Sequence, residues 1–262
     1  MNSIDYPILE YDPGKKALIE PSTIIKEQQV PKVCLLPFYY DTIQQFRNEG
    51  ILEEIAQIES SATPNICLYV LEFKGKKLAV ISPGLGAPYA ASILDVAIAL
   101  GCRKFLAFGS CGVLDKSIKR NQLIIPSSAI RDEGTSYHYT PPSREVMADP
   151  VLVKEIEAFL DDRQIDNITG KTWTTDAFFR ETPARIERRK KEGAIVVDME
   201  AAALFAVSQF RDVKLGYILA GSDDVSGLEW DRRLHMKIAN FHERFFWLAV
   251  EVALEIYKIR EK

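Results

Sequence analysis

The sequence predicts an α/β fold, a single domain with a mixed central β-sheet flanked by helices. Three observations carry this. Short apolar runs rich in Val, Ile, Leu and Phe recur along the chain, and most are uniformly apolar, as in strands buried on both faces. Segments of helical character separate them. The length, 262 residues, suits one α/β domain, and no linker, repeat or low-complexity tract divides it.

The first thirty residues carry Pro7, Pro13 and Pro21 and read as an irregular extension over the surface or a neighbouring subunit. An apolar run follows at 33–36. Residues 41–58 read as helical, with an interruption at Gly50. Residues 65–73 and 77–82 read as two strands joined by a turn at Lys74-Gly75-Lys76. A glycine loop, Pro83-Gly84-Leu85-Gly86-Ala87-Pro88, leads into a helix over 89–100. Pro88 suits its first turn and Gly101 the position past its end. Residues 104–109 and 122–126 read as strands, 150–163 as an amphipathic helix, and 168–174 as a strand. Residues 183–192 form a charged helix, 194–197 a strand, 198–210 an Ala-rich helix and 213–220 a buried strand. A long helix is predicted from Leu234 to about Lys258. Its Phe241, Phe245, Phe246, Trp247 and Leu248 suit either the core or an interface.

Composition excludes several classes. Lys plus Arg number 33 and Asp plus Glu 37, a net charge of −4, which argues against a nucleic-acid or anionic-membrane partner. The start of the chain has no basic segment followed by an apolar run, so no secretory leader is expected. The longest uncharged stretch, 78–94, is interrupted by Pro83, Gly84, Gly86 and Pro88 and does not read as a membrane span. Cys34, Cys67, Cys102 and Cys111 form no CxxC pair and read as buried free thiols of a cytoplasmic protein. With His138, His235 and His242 they make no zinc pattern, so no metal is expected. His235 and His242 read as surface or interface residues.

Four constellations invite chemistry. Two glycines before a helix N-terminus, Gly84 and Gly86, let backbone N–H groups approach an anion, where the helix dipole adds positive charge. A tight strand-to-helix turn explains them equally. Phe108-Gly109-Ser110-Cys111-Gly112 closes a buried strand, where open α/β sheets bind ligands. Asp198 and Glu200 open a helix and also suit simple capping. Ser222-Asp223-Asp224 leaves a strand as a turn or as the carrier of a general acid.

In this order and spacing the pieces are specific. SPGLGAPYAASILDVAIALGCRKFLAFGSCG, IRDEGTSYHYTPP, TTDAFF, VVDMEAAALFAV and AGSDDV together resemble the nucleoside phosphorylase family, of purine nucleoside phosphorylase and uridine phosphorylase type, which includes nucleosidases. The resemblance spans about residues 66–228. It implies cleavage of the bond between ribose C1′ and the base through an oxocarbenium-like transition state. Glu200 matches the glutamate that holds a ribose hydroxyl and stabilises the charge on the sugar, and Met199 the residue packed under the ribose. Asp223 matches the acid that protonates the leaving purine, for which its pKa must be raised. Phe178 and Phe179 match the aromatic wall for the base, and Arg180 follows them. Gly84, Gly86 and Ser110 match the phosphate side, with Arg131 and His138 as further candidates. No metal or organic cofactor is implied, only inorganic phosphate as co-substrate. The family forms homodimers or homohexamers in which a partner side chain completes each site.

Two departures matter. The Gly-Asp-Pro-x-x-Arg loop after the first strand is replaced by Leu36-Pro37-Phe38-Tyr39-Tyr40-Asp41. The arginine two residues before the Gly-Ser turn is replaced by Ala107. Losing two charge-assisted bonds costs phosphate on the order of 3–6 kcal/mol. Phosphorolysis therefore needs a substitute cation, Arg131, His138, Arg180 or a neighbouring subunit's Arg47. A hydrolase would use water, with Asp41 as the nearest acid. A non-catalytic nucleoside-binding protein is the third reading. The uridine members' Gln-x-Arg reader is absent at Phe179-Arg180-Glu181-Thr182, which favours a purine-type base. The 131–139 loop is closer to the uridine members.

Overall fold

The computed structural model describes residues 6–60, 63–234 and 240–258. The extension holds only a 3-10 turn at Pro7–Leu9 and the one-turn helix α1 (Pro21–Ile24). It is tied down by Lys15 Nζ donating to the Phe210 carbonyl at 2.9 Å and by the Gln28 N–H donating to that of Leu100 at 3.0 Å.

The elements then run β1 (Val33–Pro37), α2 (Tyr40–Asn48), β2 (Leu52–Ile58), β3 (Ile66–Phe73), β4 (Lys76–Ile81), α3 (Ala87–Leu100), β5 (Lys104–Val113), β6 (Leu123–Asp132), β7 (Glu145–Met147), α4 (Pro150–Asp162), β8 (Asn167–Thr175), α5 (Pro183–Lys191), β9 (Ala194–Asp198), α6 (Ala201–Phe210), β10 (Lys214–Asp224) and α7 (Phe241–Ile256). All ten strands of the described residues join one mixed sheet in the order β10-β6-β8-β9-β5-β1-β4-β3-β2, with β7 beside β6. β5 also pairs in parallel with β10, so β5, β10, β6, β8 and β9 close into a ring. The C-terminal ends of β5, β9 and β10 and the turn after β8 converge on one rim.

Alternation along each strand divides the core. Cys34 and Leu36 of β1 face the layer of α3 and α6, whereas Val33 and Leu35 face α2, α4 and α7. The α6 side relies on small residues, with Ala201, Ala202 and Ala203 all fully buried, so the helix packs close to the sheet. On the other side Phe46, Phe108, Phe245 and Phe246 interlock, Phe46 and Phe246 meeting edge to face at 5.0 Å. Each such ring contributes about 1.5–3 kcal/mol by leaving water. Phe245 and Phe246 are thus core, and Trp247 and Leu248 pack at its margin.

Three readings need correction. Residues 41–58 are not one interrupted helix. Gly50, at φ +73°, ends α2, and the second half is β2, paired antiparallel with β3 through a bulge at Glu54/Ala56. Its charged residues suggested a helix, but this is an edge strand exposed on one face, where charge is tolerated. The last helix begins at Phe241, just after Asn240 in the left-handed region, rather than at Leu234. His235 lies outside the described residues. Cys34, Cys102 and Cys111 are buried and unpaired, while Cys67 is only half-buried. The strand predicted at 122–126 runs on to Asp132, because Pro126 falls at a register shift where no ladder donor is required. The turn Lys74-Gly75 joins β3 to β4 with both residues at positive φ. Among the described residues no helix is long and apolar enough to cross a membrane.

Candidate active site

A cavity of about 400 Å³ opens at the strand rim. Ser110 and Cys111 reach it from β5, Met199 and Glu200 from the end of β9, and Asp223 from β10. The 3-10 turn Phe178–Arg180 after β8 supplies an aromatic wall, its two Phe rings 3.9 Å apart and largely exposed.

Asp198 organises the floor. It is buried and accepts four hydrogen bonds, from the hydroxyls of Thr172 (2.9 Å) and Thr174 (2.8 Å) and from the N–H groups of Glu200 (2.8 Å) and Ala201 (2.6 Å). It therefore caps the start of α6, the bland role the sequence allowed it, and fixes the backbone that carries Glu200. Burial still pushes the Asp198 carboxyl up. Glu200 is 5% exposed, and its Oε1 accepts the Gly86 N–H at 2.6 Å. Burial, and then the charge of Asp198, push its carboxyl up to about 8.

Asp223 is half-buried, and its Oδ2 accepts the indole N–H of Trp230 at 2.5 Å. Glu181 also faces the cavity. Burial, and then the charge of Asp223, push its carboxyl up to about 7.

Ser110 lines a second cavity as well, of about 500 Å³, together with Asp41, Thr42, Arg120, Ser222 and His242. Ser110 Oγ lies 3.2 Å from the Tyr39 hydroxyl, and the Tyr39 ring stacks on His242 at 4.0 Å. The exposed His242 is therefore part of this cavity wall. Of the two positions without arginine, Asp41 lines the second cavity, while the other is filled by apolar packing. Ala107 is fully buried between Leu36 and Tyr217, and Phe38 lies against Gly109 and stacks on Tyr217 at 6.0 Å.

The structure thus brings Ser110, Phe178, Phe179, Met199, Glu200 and Asp223 around one space. Other sequence candidates lie elsewhere. Gly84, at φ +73°, faces a separate groove with Arg47 and Tyr40, and a Cβ there would lie 2.0 Å from the Tyr89 ring. Its glycine is required by that ring, not by an anion. The Gly86 N–H is engaged by Glu200 rather than open to phosphate. Arg131 is 4% exposed and fully committed. It donates to the hydroxyls of Ser136 and Ser143 and the carbonyls of Pro141 and Thr140, and lies over the Tyr137 ring. It braces its own loop and is no free phosphate cation. His138 is exposed in that loop and lines neither cavity. Arg180 is exposed and also outside both linings, since the turn presents the next residue, Glu181, instead.

Sequence reasoning missed Glu181, Trp230, Tyr39 and Arg120. Only Glu181 left a readable signal, an acid inside the aromatic turn. Tyr39 lies in the loop read only for its missing arginine, and Trp230 and Arg120 carry no motif of their own. Among the described residues no group of three or more His, Cys, Asp or Glu is placed to hold a metal ion.

Comparisons with known proteins give the family and the fold. The guanosine phosphorylase of Halorubrum lacusprofundi is 23% identical over 202 residues, 76% of this chain and 81% of the relative. The purine nucleoside phosphorylase DeoD-type 1 of Vibrio cholerae is 27% identical over 179 residues, 68% and 73% of the two chains. The uridine phosphorylase of Treponema pallidum is 27% identical over 193 residues, 70% and 72%. Among solved structures, uridine phosphorylase from Vibrio fischeri superposes with a TM-score of 0.73 at 22% identity, covering 90% of this chain and 95% of the other. AMP nucleosidase from Bacteroides thetaiotaomicron gives 0.69 at 23%, covering 87% and 89%. The phosphorylase superfamily profile matches residues 34–251, and the chain belongs to the phosphorylase superfamily.

Proposed function

We propose that this protein cleaves the N-glycosidic bond of a purine-type nucleoside, with inorganic phosphate as the nucleophile. One observation carries the reading: Glu200, just after β9, and Asp223, on β10, face one cavity that also holds Met199 and a two-ring aromatic wall. An oxocarbenium-like sugar needs a nearby carboxylate, and a departing purine needs a proton. Glu200 serves the first need from the ribose side, over Met199, and Asp223 the second, while Phe178 and Phe179 stack the base. Names among the relatives, guanosine phosphorylase and purine nucleoside phosphorylase, favour a purine, although uridine phosphorylases stand beside them. The reading requires no metal or organic cofactor. It suits a cytoplasmic homo-oligomer, either a dimer or a hexamer.

Phosphate is assigned to the second cavity, which shares Ser110 with the first. Arg120 is the cation offered there. Its Nη1 donates to the carbonyls of Arg232 and Arg233 at 3.0 and 2.9 Å, and no carboxylate pairs with it among the described residues. Arg120→Ala is expected to raise the KM for phosphate by about 10–100-fold, the loss of one charge-assisted contact, with little change in the KM for nucleoside. Hydrolysis is the second reading, favoured by the buried Ala107 and by Asp41, which lies in the same cavity and could activate water.

Base release from a nucleoside panel, with and without phosphate, separates these readings. Ribose 1-phosphate formed only with phosphate supports phosphorolysis. Free ribose regardless of phosphate makes the protein a nucleosidase. Binding without any turnover would leave a nucleoside-binding protein.

A further inference from the structure

We infer that Tyr39 is a positioning residue for phosphate: its buried hydroxyl donates to Ser110 Oγ and so leaves the Ser110 proton to be donated to an anion in the cavities. The inference rests on the phosphorolytic reading and adds the group that sets the polarity of the nucleophile's site.

The first argument is placement. Tyr39 belongs to the loop after β1 in which the family's arginine is missing, and it is only 7% exposed. Ser110 is exposed and lines both cavities, whereas Tyr39 lines neither. The two hydroxyl oxygens lie 3.2 Å apart. Ligand therefore reaches Ser110, and Tyr39 acts from behind it.

The second argument fixes the direction of the bond. A buried tyrosine hydroxyl has one proton to place and needs an acceptor for it. The ring is held from three sides, stacked on His242 at 4.0 Å and packed against Phe108 and Phe245 at 6.4 and 6.1 Å. Among the described residues Ser110 Oγ is the hydrogen-bond partner of the Tyr39 hydroxyl. If Ser110 donated, the Tyr39 proton would be left buried without an acceptor, which is costly. The exposed Ser110 escapes that cost, because its own proton can turn into a cavity. Tyr39 therefore donates and Ser110 accepts. Burial also pushes the Tyr39 hydroxyl far up, so the proton stays on it at working pH.

The consequence is chemical. A serine hydroxyl that accepts from tyrosine is polarised as a donor. Phosphate brings oxygen lone pairs to meet it. A water nucleophile must instead give up a proton and gains least from a donor. Two neutral hydroxyls are weaker than a guanidinium, so the pair supplements Arg120 rather than replacing it.

The experiment is a double-mutant cycle on the full chain, with wild type, Tyr39→Phe, Ser110→Ala and the double variant. The KM for phosphate, the KM for nucleoside and calorimetric binding of inorganic phosphate are measured for each. Tyr39→Phe is expected to raise the phosphate KM by about 3–10-fold, with the nucleoside KM unchanged. In the Ser110→Ala background the same change is expected to have no further effect on phosphate. An unchanged phosphate KM in Tyr39→Phe overturns the inference. So does an equal rise in the Ser110→Ala background, which would mean that Tyr39 does not act through Ser110. An equal rise in the KM for nucleoside would make Tyr39 a packing residue only. Should Tyr39→Phe not fold, Ser110→Ala alone decides: an unchanged phosphate KM there overturns the inference. In each of these cases phosphorolysis still stands. If wild type binds no phosphate and releases base at a rate independent of it, both fall.

Discussion

Glu200→Gln is expected to lower turnover by about 10²–10³-fold while making the folded protein more stable at neutral pH. The two effects have one origin. In catalysis the negative charge of Glu200 opposes the positive charge that builds on the sugar, and removing one preorganised electrostatic partner of a transition state typically costs two to three orders of magnitude. In folding the same charge is a burden. The carboxyl is 5% exposed, sits beside Asp198 and is pushed up to about 8. An acid that holds its proton more tightly when folded favours the folded state fully below its unfolded pKa near 4.5, and that contribution is lost as pH rises toward about 8. At pH 7 the difference is on the order of 3 kcal/mol. Glutamine keeps an oxygen for the Gly86 N–H and never ionises, so it escapes the loss. Thermal unfolding at pH 5 and pH 8 checks this: the gain in Tm should be present at pH 8 and small at pH 5. Near-normal turnover in the variant would remove Glu200 from the chemistry. In the wild type, kcat/KM should rise with pH as Glu200 ionises, with a midpoint near 8 in the free enzyme.

Asp223→Asn should reduce cleavage of ordinary purine nucleosides by about 10²–10⁴-fold, the usual range for a general acid. Its effect should be small on a 7-methylated purine nucleoside, whose base leaves neutral without receiving a proton. The amide preserves shape and an acceptor for the Trp230 indole, so the fold should tolerate it. The comparison isolates proton donation from binding: equal losses on both substrates would mean that Asp223 holds the base rather than protonates it. The variant also tests the neighbouring acid. The charge of Asp223 helps to raise Glu181, so its removal should lower the Glu181 pKa from about 7.

The recurrence of apolar runs was enough to read the central strands, because β1, β5, β6 and most of β10 are buried on both faces and admit little polarity. Capping chemistry gave α3, α4 and α5 nearly to the residue, since Pro at the first turn marks each start. Edge strand β2 was misread because one of its faces meets water, so its charges mimic a solvated helix. The motif residues Met199, Glu200, Asp223, Phe178 and Phe179 line one cavity because each lies on a short segment at or just after the end of a strand.

Everything about how those residues are partnered lies beyond that reading. Asp198 and Glu200 are two residues apart, yet one is a structural cap with four donors and the other a strained acid over a cavity. Thr172, Thr174 and Gly86 make the difference, and they arrive from other elements. Arg131 looked like a phosphate ligand until the carbonyls of its own loop claimed it, and Glu181 looked incidental until the turn aimed it beside Asp223. A side chain's identity and its local backbone are encoded within a few residues, and periodicity and capping expose them. The partners that set Asp198 and Glu200 apart lie 24 to 114 positions away, and only the tertiary fold brings them within reach.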